Sequence, residues 1–255
     1  MKVLLSIFLS LILLSGCQTV STPKTNESLT VSAAASLKDA FSEIAEIHKS
    51  QKGKTINFNF GASGALQKQI ETGSPVDIFA SAGEKQMDEL AEKGLIEIAS
   101  RRNFAQNQLV LIVPKDSIVK INSFAELTNS EVQKIAIGEP KSVPVGQYTE
   151  QVFDKLNLKN ELQSKLISAQ DVRQVLEYVS RGEVDAGIVY TTDAKIAGAK
   201  IRIAATATAD SHQPILYPIA IIKDSANKEL ATEFIETLLS AEGQNILHKY
   251  GFYQF

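Results

Sequence analysis

Two short segments carry residues whose type and spacing suit the capture of an anion: SAAAS, Ser32 to Ser36, and GASGA, Gly61 to Ala65. Each reads as a strand-to-helix junction that sets a serine, Ser36 or Ser63, at a helix N-terminus. The leading N–H groups of a helix lack internal partners and carry the positive end of its dipole, so a hydroxyl and several amides converge there. Two such seats in one domain can grip one oxyanion. Three further places offer donors of the same kind: the VPVG turn at Val143 to Gly146, the helix start at Gln170-Asp171-Val172, and Tyr190 closing GIVY.

All five fall where strands are expected to end at their carboxyl side, the position at which open α/β sheets hold ligands. Hydroxyls, amides and a phenol all donate, and none of the five places requires a lysine or arginine. This set favours a small, fully deprotonated tetrahedral oxyanion. Hydrogen phosphate needs an acceptor as well, and in a donor-only pocket its buried P–OH would be left without a partner. Molybdate, tungstate and sulfate carry no proton at neutral pH, and donors alone do not separate them. Charge-assisted hydrogen bonds and helix N-termini offset the cost of burying such a dianion without a counter-charge.

The elements that must position these residues are legible as an alternation. From Leu29, LTVSAA, TINFNFGAS and VDIFASA read as strands, and SLKDAFSEIAEIHKSQ, GALQKQIETG and EKQMDELAEKG as helices, the pattern of a parallel sheet with crossover helices. Leu37, Phe41, Ile44, Ala45 and Ile47 or His48 form a core-facing stripe. Ser36 and Asp39 have capping-box spacing, predicting a helix start at Leu37; Gly64, lacking a Cβ, is expected to let the backbone approach a ligand. AQNQLVLIVP, Ala105 to Pro114, reads as one long strand crossing into a second lobe. There KIAIGEP, SKLISA, VDAGIVY and KIRIAAT are strands, and VGQYTEQVFDKLN and DVRQVLEYVSRG helices. ILYPIAIIK, Ile215 to Lys223, is a return strand, and two C-terminal helices are expected to pack on the first lobe. The expectation is an α/β protein: lobe 1 over 29–107, lobe 2 over 108–214, and 215–255 returning to lobe 1. Two crossing strands leave a cleft that can close about a hinge.

Ahead of this, an apolar run follows Lys2 and ends at LSGC, Leu14 to Cys17. It is too short to span a bilayer and reads as a secretory signal. The leucine three before the chain's one cysteine resembles the lipobox of bacterial lipoproteins, which implies a leader over 1–16 and lipidation at Cys17. Residues 17–28 then read as lipidated cysteine and flexible tether. With Cys17 consumed, no disulfide, zinc ribbon or thiol nucleophile is available. The chain holds 26 basic and 29 acidic residues, a net charge of −3, so it has no global attraction to nucleic acid. His48, His212 and His248 show no ligand-like spacing, and neither a metal site nor a resident cofactor is expected.

Taken in order, AAASL, GASG, PVDIFASA, VPVGQY, the DVR helix start, GIVY and KYGF resemble the molybdate-binding proteins of bacterial molybdate ABC importers. The likeness covers nearly all of the chain from Leu29 to Phe255. It implies a two-lobed, periplasmic-binding-protein-like fold that captures molybdate, and tungstate with it, and delivers it to a permease and its ATPase. Together with the lipobox it implies a monomer held by its lipid on the extracytoplasmic face of the cell membrane, with no catalytic activity. By this resemblance the ligand-contacting residues are Ser36 and Ser63, the backbone amides of Val145 and Val172, and Tyr190. Val145 departs from a motif that often has alanine, which bears on cavity size and not on the amide.

Each residue has a plainer reading. Ser36 and Ser63 could simply cap helices, and Tyr190 could be a strand-end core aromatic. Asp77 suits a turn or lobe packing better than an anion its charge would repel, and Arg173 either lends positive potential or lies on a solvated face. GASGA also approximates the G-x-S-x-G nucleophile elbow of serine hydrolases, with Ala65 in place of the last glycine and His212, preceded by Asp210, as the candidate base. A sulfate receptor keeps the same mechanism. An iron receptor would require Tyr148 or Tyr217 to approach Tyr190 in space.

Overall fold

The computed structural model describes residues 28–254; the leader, Cys17 and the tether up to Glu27 lie outside them. The chain opens with β1 (Ser28–Ala34), a 3-10 turn at Ala35–Leu37, α1 (Lys38–Lys52), β2 (Thr55–Gly61), α2 (Ser63–Glu71), β3 (Ile78–Ala80), α3 (Glu84–Glu92) and β4 (Arg102–Asn107). After Gln108 come β5 (Leu109–Pro114), β6 (Ile135–Gly138), α4 (Pro144–Lys155), α5 (Lys159–Leu162), β7 (Leu166–Ala169), α6 (Val172–Ser180), β8 (Ala186–Tyr190), α7 (Thr191–Ala197) and β9 (Ile201–Thr206). The last elements are β10 (Ile215–Ile221), α8 (Lys228–Leu239) and α9 (Ala241–Lys249).

These strands form two sheets of equivalent order, β2-β1-β3-β10-β4 and β7-β6-β8-β5-β9. The architecture is α/β with two lobes. In each sheet three strands are parallel, as the alternation predicts, but β10 and β5 run antiparallel to both neighbours. The reason is geometric. The parallel strands point their carboxyl ends at the cleft, so a chain arriving across the cleft enters at that end and must run the other way. The run Ala105 to Pro114, expected as one strand, is accordingly broken at Gln108: β4 pairs in the first sheet and β5 in the second.

Burial follows position in the sheet. Edge strand β2 alternates, with Phe58 and Phe60 half-buried and Asn57 and Asn59 more exposed, whereas central β8 is buried at every residue, as expected when helices cover both faces. On α1 the stripe is Phe41, Ile44, Ala45 and His48, with Ile47 only half-buried. The helix stops at Gly53, whose φ of 71° is a left-handed conformation that glycine adopts without strain. Both α8 and α9 pack against α1; the Phe41 and Phe234 rings meet edge to face at 5.9 Å. Full burial of each such side chain contributes about 1.5–3 kcal/mol.

Candidate functional site

A cavity of about 10 Å³ lies between the lobes, and Ser36, Ser63, Val145, Val172 and Tyr190 all line it. No lysine, arginine or histidine lines it among the described residues. From the first lobe it receives the small residues at the ends of β1 and β2, including Ala34, Ala35 and Gly61; from the second it receives the starts of α4 and α6 and the end of β8.

Neither serine caps its helix. The N-cap position of α1 is Leu37, itself in helical conformation and without a side-chain cap bond, so the predicted capping box does not form. Ser36 Oγ instead lies 3.0 Å from the Tyr217 hydroxyl, and Asp39 pairs with Arg173 across the lobes. Ser63 is the first residue of α2, and its Oγ accepts the N–H of Ala82 at 3.1 Å. A hydroxyl that accepts from the protein keeps its own proton to donate elsewhere. At Ser63 that proton is available to the cavity.

The second lobe contributes backbone. Val145 and Val172 stand in the first turns of α4 and α6, where an N–H has no intrahelical acceptor; among the described residues no loop carbonyl or side chain takes either one. Asp171 caps α6 by accepting the N–H of Gln174 at 3.0 Å, which aims the helix start at the cavity. Tyr190 is 1 % exposed. Its hydroxyl donates to Ala82 O at 3.4 Å, the long end of the hydrogen-bond range. Burial holds the phenol well above its usual pKa of 10.0, so it remains a neutral donor.

Several contacts join the lobes around this site. Gly64 N–H donates to Ser142 O at 2.9 Å, and a Cβ at Gly64 would sit 2.5 Å from that oxygen. The predicted close backbone approach at Gly64 is therefore to the opposite lobe and not to a ligand. Arg173 neither lines the cavity nor lies on a solvated face: it contacts Asp39 of the first lobe and, at 2.8 Å, the fully buried Asp193 of the second. Burial raises the Asp193 carboxyl to a pKa of about 6, against the lowering effect of Arg173. Asp77 does hold lobe packing together, accepting from Thr30 N, Ser225 Oγ and Asn227 Nδ2.

Residues 29–253 match the family described as bacterial extracellular solute-binding protein. The chain belongs to that family. This solute-binding protein is 42% identical over 245 residues to the putative ABC transporter substrate-binding lipoprotein YvgL of Bacillus subtilis (strain 168), covering 94% of this chain and 93% of the relative. It is 38% identical over 228 residues to the molybdate-binding protein ModA of Haemophilus influenzae, covering 88% and 89%. Among solved structures, the Azotobacter vinelandii periplasmic molybdate-binding protein superposes with a TM-score of 0.82 at 26% identity, over 89% of this chain and 99% of that one.

The family is one of binding proteins, not enzymes, and the geometry agrees. Ser63 Oγ is engaged by a backbone amide, while the His212 ring contacts its neighbour's carbonyl and the Tyr148 ring. Tyr217 does approach Tyr190, their ring centroids 5.9 Å apart, as an iron receptor would require. Burial holds both phenols well above 10, and the described residues contain no cluster of three or more histidine, cysteine or carboxylate groups that could join them at a metal. Sequence reasoning missed Asn107, at the end of β4, and Asp193, in the first turn of α7, because nothing near either in sequence indicates the distant partners it meets.

Proposed function

We propose that this solute-binding protein captures molybdate, and tungstate with it, between its lobes and hands it unchanged to an ABC permease driven by a separate ATPase. The observation that carries this reading is the convergence of two serines, two free first-turn amides and a neutral phenol on one small interlobe cavity with no cationic lining. Such a donor set favours a proton-free dianion over a protonated one, and Asp171, the one carboxylate of the lining, is engaged as the α6 cap. The molybdate-binding relatives support the choice among tetrahedral oxyanions. Ser36, Ser63, the amides of Val145 and Val172, and the Tyr190 hydroxyl are the proposed ligand contacts. Cys17 is the proposed lipid attachment, holding a monomeric receptor on the extracytoplasmic face of the membrane.

Isothermal titration against molybdate, tungstate, sulfate and phosphate at equal ionic strength tests this. One-to-one binding of the first two alone is the expected result. Binding of sulfate alone would move the transport substrate, and heat from none of the four would overturn the reading.

A further inference from the structure

Behind Ser36 a row of buried polar side chains runs through the junction of the two lobes. Asn107, the last residue of β4, donates through Nδ2 to Thr192 Oγ1 at 3.0 Å and to the Tyr217 hydroxyl at 3.2 Å. The Tyr217 hydroxyl in turn lies 3.0 Å from Ser36 Oγ. All four residues are buried. The direction of the chain follows from counting protons. Gln108 N–H donates to Asn107 Oδ1 at 2.9 Å, so the amide nitrogen faces the phenol. The phenol oxygen thus receives a proton from Asn107, and its own proton has one partner in reach among the described residues, Ser36 Oγ. Were Ser36 to donate to the phenol instead, the phenolic proton would be buried without an acceptor, an arrangement proteins avoid.

We propose that Asn107 and Tyr217 are positioning residues that polarise Ser36, forcing its hydroxyl to meet the bound anion only as a donor. This deepens the oxyanion reading of the cleft and rests on it. Ser63 is polarised in the same sense by the Ala82 amide, but there the donor is backbone. At Ser36 the enforcement comes from side chains, one on each of the strands that reach the cleft crossing, β4 and β10. A serine with no incoming donor can turn to accept a proton from a ligand, and the selectivity against protonated anions would then be lost at that position.

The test is titration of the full chain at mildly alkaline pH, where phosphate carries one proton and molybdate none, in wild type, Tyr217→Phe and Asn107→Asp. In Tyr217→Phe, molybdate binding is expected to weaken about tenfold, the scale of one hydrogen bond, while inorganic phosphate becomes able to displace molybdate. Asn107→Asp puts an acceptor opposite the phenol and draws its proton away from Ser36, and the molybdate loss should be larger. In a Ser36→Ala background, Tyr217→Phe should leave the molybdate-to-phosphate ratio unchanged. Unfolding midpoints without ligand identify a variant that fails to fold, and the other variant then decides. Weaker molybdate binding with no displacement by phosphate, or no change in either variant, overturns the polarising chain while leaving the cleft assignment standing. A wild-type protein that binds no tetrahedral oxyanion overturns both.

Discussion

The two walls of the cleft present hydrogen-bond donors by different means. The first lobe offers side chains, Ser36 and Ser63, each turned outward by an incoming donor. The second offers mainly main chain, the first-turn amides of Val145 and Val172, with the Tyr190 phenol beside them. A side-chain donor disappears with one substitution, whereas a backbone donor survives almost any. Sequence change should therefore be far better tolerated on the second wall, except where it removes the N–H itself.

The largest effects test that contrast directly. Ser36→Ala and Ser63→Ala should each weaken anion binding by about 1.5–3 kcal/mol, the range for hydrogen bonds to a charged group. Val172→Ala should change it by much less. Val172→Pro should match the serine variants, because proline suits the first helical position and the preceding Asp171 is extended, so the substitution removes the N–H with little harm to the helix. Calorimetry on the four variants checks the ranking. If Val172→Pro binds like wild type, the amide is not a ligand contact and the comparison fails.

A smaller loss is expected where the walls meet. Gly64→Ala places a methyl against Ser142 O, and such overpacking costs about 1–3 kcal/mol. Because the lobes can part to relieve it, affinity should fall while the unfolding midpoint of the ligand-free protein holds. A drop in that midpoint would place the contact in the folded core of one lobe and not between two.

The smallest effect belongs to the first lobe alone. His48 is buried, pairs with Thr237 Oγ1 at 2.9 Å through Nδ1, and leaves Nε2 unpaired. Thr237 donates its own proton to Glu233 O, so the ring donates from Nδ1 and is neutral. Burial lowers its pKa from 6.5, which means the unfolded chain takes up the proton first. Stability from this group is full above that value and is lost as pH falls through it towards the lower folded-state pKa. Melting curves between neutral and mildly acidic pH should show this loss, and His48→Gln should flatten it.

Much of this was legible along the chain. The strand and helix alternation places β1 to β3 and β6 to β8, and the five junctions that line the cavity are readable from local motifs, since strand ends and helix starts are local events; Val145 and Val172 enter as proposed contacts through the family resemblance. What failed was also local in kind. Ser36 and Asp39 have the spacing of a capping box, yet Tyr217 and Arg173, both distant in sequence, outcompete the helix for them. Gly64 was expected to face a ligand because nothing in GASGA indicates that Ser142 lies opposite. The antiparallel strands β5 and β10 were unreadable because strand direction depends on which side of the cleft the chain arrives from.

By itself the sequence determined the α/β class, the two groups of elements and the five junctions that meet at the cavity. These depend on periodicity, turn chemistry and residue type, which act over a few residues. The tertiary structure decided which way each donor points. The direction of a hydroxyl proton at Ser36 is settled by Asn107 and Tyr217, brought beside it from the ends of the crossing strands, and a buried proton must go where an acceptor remains.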